Sequence, residues 1–412
     1  MASKLIAGIM LAVCCAAQAQ DTAPLVSGQV RLQWDDVHAN TAGPLAASHA
    51  LQSGIADLPA SGATVQTELR ASGQGITAVV TLQQLRNEGQ ATHSQAWVNE
   101  LVASYDAGAW QFSAGKKIVS WDVGYGYRPN DMVQQEVRRT LVSSTPEGRP
   151  MLLAEHFITD TAWSLVWVNP TALSDTLGAQ EPALAARLYQ RSGAADWYGF
   201  ARIGAHTGTS LGAALAWVAT NELELHSSLR YAERVDSTVM RPAVSGLQAS
   251  NPWQSASEPD VAQLLLGGTW TNASQLSLLA EAWWDGSAPS DAQWQTWSAR
   301  NRQLSSLAGW GAPAAAVAGN LAWQAQALGT AANLQRRNLY LRLSWDHEGW
   351  QPSLDLLYHP LDGGRMLTAA LLWKGDRVQV QGGLRVYGGP AQAVLAQLPS
   401  SRQAYLALTW AF

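Results

Sequence analysis

Charged side chains recur at alternate positions within apolar segments of this sequence, a spacing that would place them on one face of a strand. Successive side chains of an extended strand point to opposite faces, so Arg187 lies opposite Ala186 and Leu188. A surplus of positive charge on one shared face would favour anions. Paired contacts that brace a polar interior are the structural alternative. The predicted inner face carries 11 basic and 5 acidic side chains: Arg31, Arg70, Lys117, Arg187, Arg191, Arg202, Arg230, Arg234, Arg342, Arg377 and Arg385, against Glu68, Glu100, Glu224, Glu281 and Asp355.

The sequence contains no pattern that predicts catalysis, a metal site or a cofactor. Its eight histidines are scattered without the i, i+4 spacing of a helical metal site, and there is no Gly-x-Ser-x-Gly motif. Glu224, His226 and Ser228 share one face of a predicted strand, but simple alternation produces such sets by chance. We therefore predict a protein that is not an enzyme.

About 18 segments show the period-two alternation of β-strands, and these must position the charges. They are Leu25–Trp34, Gly62–Ser72, Ile76–Arg86, Ser94–Tyr105, Trp110–Trp121, Pro150–Ile158, Trp163–Asn169, Leu184–Arg191, Trp197–Ile203, Leu211–Val218, Leu223–Arg234, Gln263–Trp270, Leu276–Trp284, Leu339–Trp345, Trp350–Tyr358, Met366–Trp373, Arg377–Tyr387 and Ser401–Phe412.

The connections between these segments alternate between short and long. Every tight turn falls on one side, and the long connections 35–61, 122–149, 235–260, 285–337 and 388–400 fall on the other. This asymmetry is typical of an all-β, antiparallel transmembrane barrel with both termini on the side of the turns. If two adjacent segments were not strands, the short and long connections would still fall on opposite sides, so 16 strands remains an alternative to 18. A secreted soluble β-protein is a second alternative, against which Trp and Tyr near the strand ends argue.

The composition agrees with a barrel. The chain is 47% hydrophobic, with 20 Trp and only 14% charged residues, and its mean hydropathy is −0.08. Beyond the first 20 residues no apolar stretch is long enough for a membrane helix. A formal net charge of −5 argues against nucleic acid as a partner.

The last predicted strand, Ser401–Phe412, alternates apolar residues and ends on an aromatic residue. In this the sequence resembles Gram-negative outer-membrane β-barrels of the porin-like type. The resemblance implies location in the outer membrane with periplasmic termini, contact with outer-membrane lipid, and an assembly signal read by the barrel-assembly machinery. The residues that would carry this signal are Tyr405, Leu408, Trp410 and Phe412.

Residues 1–19 have the features of a secretory signal peptide: Lys4, a short apolar core and Ala17-Gln18-Ala19. A lipidated cysteine at Cys14 or Cys15 is a weaker alternative, because bulky Val13 precedes them. Cleavage would remove both cysteines, so disulfides are not expected. Residues 20–412 then form a single barrel domain.

Two long connections have distinctive content. Residues 122–149 are rich in Gly, Pro and Asp, which predicts either a constriction folded into the lumen or a solvated surface loop. Residues 285–337 are rich in Ala and predict two helices, one capped by Asp291 and one over 314–327. Trp294, Trp297, Trp310 and Trp323 must then be buried, either in a plug or in a lid over the rim.

Three functions fit a barrel of this kind. The first is a porin-like channel for small polar solutes, with anions favoured by the inner charges; the solute itself is not identified. The second is an export or lipid-handling component that works with inner-membrane transport partners. The third is a structural or adhesion barrel closed by its helical loop.

Overall fold

The computed structural model describes residues 25–135, 139–169, 180–241, 246–329 and 332–412. The predicted signal peptide, residues 1–19, lies outside the described residues. The described strands form one closed antiparallel sheet of 18, in which β1 pairs with both β2 and β18. They are β1 (Leu25–Ala39), β2 (Gly62–Gly73), β3 (Ile76–Asn87), β4 (His93–Ala107), β5 (Trp110–Lys117), β6 (Arg149–Ile158), β7 (Thr161–Val168), β8 (Ala183–Ser192), β9 (Ala195–Gly204), β10 (Gly208–Val218), β11 (Leu223–Met240), β12 (Trp253–Thr271), β13 (Leu276–Asp285), β14 (Arg337–Trp345), β15 (Trp350–Tyr358), β16 (Arg365–Lys374), β17 (Val378–Gly388) and β18 (Ser400–Ala411).

The alternation of the sequence separates an outer face from an inner face. In β8, Leu184 and Leu188 are each 52% exposed, whereas Ala183 and Ala185 are 4% and 2% exposed. Leu, Val and Ile dominate the outward positions all round the barrel, with Trp and Tyr near the strand ends. An apolar outer band with aromatic girdles is the surface that a membrane-spanning barrel requires. The predicted 18-stranded antiparallel barrel is confirmed.

The two ends of the barrel differ. Eight short connections, the start of β1 and the end of β18 lie at one end, which we call the turn end. The opposite end, the loop end, carries the longer connections and three helices: α1 (Gly43–Leu51), α2 (Asp291–Gly309) and α3 (Ala314–Ala325). No helix in the described ranges is both long and apolar enough to cross a membrane.

Strand β5 is shorter than its alternation predicts, since it ends at Lys117 and not at Trp121. Gly115 has a φ of +129°, and a Cβ there would lie 2.2 Å from the carbonyl oxygen of Leu101. Glycine therefore allows the strand to bend away at this point. Ile118 is the first residue after β5, and its amide donates to the Glu100 carboxylate (3.0 Å) instead of to a neighbouring strand.

The predicted long connection 235–260 was wrong in extent. Strands β11 and β12 remain paired as far as Met240 and Trp253, so only residues 241–252 connect them. The extra residues are polar on both faces, as in Asp236-Ser237-Thr238. A hairpin that projects beyond the apolar band meets water on both sides, so its strands no longer need to alternate.

The predicted helices between β13 and β14 are confirmed as α2 and α3. Ser290, not Asp291, is the N-cap of α2, in a capping box with Gln293. Trp294 and Trp297 are buried as predicted, and their indole nitrogens donate to the carbonyls of Leu334 (2.7 Å) and Gln324 (2.9 Å). Trp310 is 83% exposed, so the expectation that it needs a buried position was wrong.

Candidate solute pathway

The connection between β5 and β6, residues 118–148, folds into the barrel; we call it the inner loop. It begins beside β4, where Ile118 contacts Glu100, and returns there through Gly148, whose amide donates to the carbonyl of Asn99 (2.9 Å). Between these points its described residues contact the inner faces of strands all round the sheet. The described residues of this segment thus lie inside the barrel, and the constriction of a pathway by residues 122–149 stays a prediction.

The first anchor of the inner loop is the carboxylate of Glu281 on β13, which is fully buried. It accepts hydrogen bonds from the backbone amides of Tyr125 and Gly126, both at 2.7 Å. On its other side lies Nε2 of His226 on β11, at 2.9 Å, and Nδ1 of that ring is 3.2 Å from Glu224. A carboxylate with three close donors in a dry environment is a strong point of attachment.

The second anchor lies beside the first and is centred on Asp122 of the loop. Its carboxylate accepts from the hydroxyl of Ser228 on β11 (2.7 Å) and from the amide of Asn130 (2.6 Å). The Asn130 side chain donates in turn to the Ser228 hydroxyl at 2.8 Å. Asp131 accepts from the amide of Trp121 at 2.9 Å, and burial raises the pKa of Asp131 to about 6.

Apolar contacts fix the same part of the loop against the wall formed by β6–β10. Trp121 and Val133 pack among buried wall residues that include Val166, Ala185 and Phe200. Small and apolar inward side chains are unusual for a water-filled lumen, and here they face the loop. The loop therefore fills this side of the barrel and leaves the opposite side open.

The second half of the inner loop crosses to the open side. Arg385 on β17 donates to the carbonyl of Arg139 (2.8 Å), and Gln381 donates to that of Leu141 (3.2 Å). Arg31 on β1 donates to the carbonyl of Ser143, and the Asn99 side chain donates to that of Thr145 at 2.8 Å. Each of these bonds ends on a backbone carbonyl, so the wall fixes the course of the loop and not its side chains.

Three cavities adjoin one another along the barrel. The loop-end cavity, of about 160 Å³, and the central cavity, of about 570 Å³, are both lined by Gln135 and Arg149. The central cavity shares Arg342, Ser353 and Gln381 with a turn-end cavity of about 280 Å³. The series runs from the loop end, where it borders β9, β11 and β12, to the turn end, where it borders β13–β17.

The central cavity is the part of this series that the inner loop narrows, and its charge is unbalanced. Among its described lining residues are four arginines (Arg139, Arg149, Arg342 and Arg385) and two acids (Glu147 and Asp355). Arg342 pairs with Asp355 at 3.0 Å, and Glu147 pairs with Lys116 outside the cavity. Among the described residues, Arg139 and Arg385 donate to carbonyl, amide and hydroxyl oxygens and not to carboxylates.

Arg139 remains charged in this position. Burial lowers the pKa of Arg139 to about 10, which is still well above neutral pH. Its guanidinium stacks 5.1 Å from the Trp283 ring and donates to Asn333 at 3.1 Å. The cavity thus holds a fixed positive charge beside aromatic and polar groups.

The predicted inner-face residues differ in what they contact. The inner loop contacts Glu68, Glu100, Glu281, Arg31, Arg187 and Arg230, whereas Glu224 contacts His226. Arg342, Arg385 and Asp355 line the central cavity, and Arg202 and Arg234 line the loop-end cavity. Lys117 lies at the end of β5, near Ser113 and Glu155. Arg70 and Arg191 are exposed near the turn end, and Arg377 precedes β17 in a turn, not on a strand as expected.

The sequence prediction missed Arg139, Arg149, Glu147 and Tyr125. Three of these belong to the inner loop, where no alternation assigns a face, and Arg149 is the first residue of β6, one position before the predicted start. The run Gln134–Arg139 was visible as a charged stretch, but only its position in the lumen gives it significance.

The residues of the predicted assembly signal lie along β18. Leu408, Trp410 and Phe412 face outward and are exposed, whereas Tyr405 faces inward and its hydroxyl accepts from Gln381 at 2.8 Å. Phe412 and Gly28 exchange two backbone hydrogen bonds of 2.9 Å. A Cβ on Gly28 would lie 2.6 Å from the Phe412 ring, so glycine there makes room for that ring.

No protein-family profile and no curated protein match this sequence. Solved structures do match its fold at low identity. OccK5 (OpdH) of Pseudomonas aeruginosa has 11% identity and a TM-score of 0.54, with 94% of this chain and 98% of that chain covered. OccAB1 of Acinetobacter baumannii has 8% identity and a TM-score of 0.55, with 94% and 96% covered. The outer-membrane protein OpdK of Pseudomonas aeruginosa has 8% identity and a TM-score of 0.51, with 94% and 98% covered. The chain therefore has the fold of an outer-membrane porin.

Proposed function

We propose that this protein is an outer-membrane channel through which small polar solutes pass, with a preference for anions. The outer band suits a bilayer, and the series of cavities from the loop end to the turn end supplies a route through the barrel. In this arrangement the loop end faces the exterior and the turn end faces the periplasm, because porin-type barrels have short periplasmic turns and long external loops.

The size of the central cavity sets the class of solute. A volume of about 570 Å³ lies in the range of pockets that hold a single small molecule. Its lining supplies guanidinium, hydroxyl and amide groups from Arg385, Thr368 and Gln381, together with the rings of Tyr125 and Tyr340. A small polar or anionic solute finds donors on several sides of this cavity.

The preference for anions rests on one observation: Arg139 and Arg385 meet in the narrowed part of the lumen with no carboxylate partner in the described part of the chain. Fixed positive charge inside a wall of low dielectric raises the local concentration of anions and lowers that of cations. The net charge of the whole chain, −5, is a poor guide to this local field, because exposed charges more than a Debye length away are largely screened.

Planar-bilayer recordings in a KCl gradient test the proposal. The wild-type reversal potential should have the sign of a chloride-selective pore, and the double variant Arg139→Gln, Arg385→Gln should move it toward potassium. A matched control, Arg241→Gln with Arg302→Gln, removes two exposed charges at the loop end and should leave the potential unchanged. A wild-type pore selective for cations would refute the proposed preference for anions. Conductance that appears only after deletion of residues 290–335 would instead support a barrel closed by its helices.

A further inference from the structure

The outer surface of the barrel carries an uneven distribution of charge at its loop end. Four arginines point outward there: Arg337 on β14, Arg365 on β16, Arg402 on β18 and Arg86 on β3. Their outward direction follows from register, because Arg402 pairs with Val386, and Arg365 pairs with Tyr358, both exposed on the outer face. We call these four residues the basic arc; it spans the contiguous strands β14–β18 and β1–β3.

The height of the basic arc matches the edge of the apolar band. Each arginine lies eight to ten residues from the turn-end terminus of its strand, as Arg337 does from Trp345 and Arg86 from Ile76. At about 3.3 Å per residue and a tilt of about 40°, this corresponds to roughly 20–25 Å along the barrel axis. An apolar band is about 25 Å tall, so the guanidiniums lie where acyl chains give way to headgroups.

The local contacts leave these guanidiniums facing outward. The Arg337 guanidinium lies 5.6 Å from the Trp284 ring, and Arg402 donates to Nε2 of His38 at 2.5 Å. Asp36, also on β1, is 3.3 Å from the same ring and is the one acidic residue at an outward position of β14–β18 and β1–β3 among the described residues. The arc therefore keeps a net positive charge.

The rest of the outer surface has no such arc. On the described β4–β13 the charged residues at outward positions by register are Lys116, Glu233, Glu258 and Asp260, and Glu258 lines the loop-end cavity. Lys116 pairs with Glu147, Asp260 accepts from the Tyr231 hydroxyl, and Glu233 pairs with Arg234 at 3.2 Å. These engaged carboxylates give a second copy of the chain little with which to bind the arc, and this favours lipid as its occupant.

We propose that the basic arc binds the phosphorylated headgroups of lipids in the outer leaflet. Guanidinium groups form paired, charge-assisted hydrogen bonds with phosphate, and the apolar rows beneath the arc accept the acyl chains. Basic residues at a membrane surface attract anionic lipid in the same way. This inference rests on the proposed membrane placement, with the loop end outward, and adds a lipid site that is independent of the channel.

The test measures lipid bound to the full chain in detergent by native mass spectrometry, with bis-phosphorylated lipid A and its dephosphorylated form as probes. Wild type should retain the phosphorylated lipid at least tenfold better than the dephosphorylated one. Arg365→Gln with Arg402→Gln should remove this difference, whereas the control Arg241→Gln with Arg302→Gln should keep it. Heat-modifiable migration on a gel confirms that each variant is a folded barrel.

Several outcomes would overturn the lipid site. Equal retention of both lipids by wild type, or equal retention of the phosphorylated lipid by wild type and the arc variant, would show that phosphate is not recognised. A change of oligomeric mass in the arc variant without a change in lipid binding would assign the arc to a protein interface. Conductance is recorded on the same samples, so loss of the channel proposal and loss of the lipid proposal give different results.

Discussion

The fully buried Glu281 carboxylate attaches the inner loop to the wall, and its removal should release that loop. In Glu281→Gln, the side-chain oxygen can still accept from one of the two amides of Tyr125 and Gly126. The new amide nitrogen would then face the other N–H, donor against donor, where the carboxylate now accepts at 2.7 Å. The contact with His226 at 2.9 Å also loses its negative partner.

The magnitude follows from the bonds that are lost. A hydrogen bond to a charged group contributes about 1.5–3 kcal/mol, and a buried donor left unsatisfied costs about 1–3 kcal/mol. The loss of one amide bond and of the charged contact to His226 therefore weakens the attachment by about 3–5 kcal/mol. Since about 1.4 kcal/mol is a factor of ten, the detached population should rise by about two to three and a half orders of magnitude.

Limited trypsin digestion of the reconstituted barrel, with fragments identified by mass spectrometry, reports detachment through cleavage after Arg128 and Arg139. Single-channel recordings should show larger and noisier currents in the same variant. Glu224→Gln is the matched control, because Glu224 contacts only the far side of His226, at 3.2 Å, and is 34% exposed. Ser228→Ala, at the second anchor, should act in the same direction as Glu281→Gln but more weakly. Two results would show that Glu281 is not the attachment point of the inner loop. One is that trypsin cleaves the loop of Glu281→Gln no faster than that of wild type. The other is that Glu224→Gln increases cleavage as much as Glu281→Gln does.

Two further predictions concern the loop and the seam between β1 and β18. Burial raises the pKa of Asp131 from 3.8 to about 6, so the carboxylate is destabilised in the fold; its contribution to stability is complete below about pH 4 and is lost as pH rises through 6. In urea unfolding, the free energy of unfolding of wild type should therefore fall by at most about 3 kcal/mol between pH 4 and 7, and Asp131→Asn should lack this fall. Identical pH profiles of the two proteins would contradict the raised pKa of Asp131. Gly28→Leu and deletion of Phe412 should each lower the yield of heat-modifiable barrel, since both disturb the ring or the two backbone bonds at this seam. Gly199→Leu, at an outward glycine whose Cβ would have ordinary contact distances, is the control, and equal losses in all three variants would refute a specific role for the seam.

The wall of the barrel was predictable because the alternation of apolar and polar residues within each strand shows which side chains face outward and which face inward. Alternation in β8 put Leu184 and Leu188 outward and Arg187 inward, and the structure has the same two faces. The order of short and long connections then gave the antiparallel pairing and the number of strands. Beyond the apolar outer band this alternation ends, which is why the extension of β11 and β12 to Met240 and Trp253 was missed.

The pathway inside the wall was decided by tertiary structure. The alternation of side chains shows that Glu281 and Arg385 both face inward. It does not show that Glu281 contacts amides 155 and 156 positions away, or that Arg385 borders a cavity. The inner loop has no period, and its course depends on hydrogen bonds to backbone groups, which any residue type provides. Sequence alone therefore determined a porin-type barrel with inward arginines. Only the fold showed that Arg139, from a loop with no assignable face, joins Arg385 at the narrowed part of the lumen.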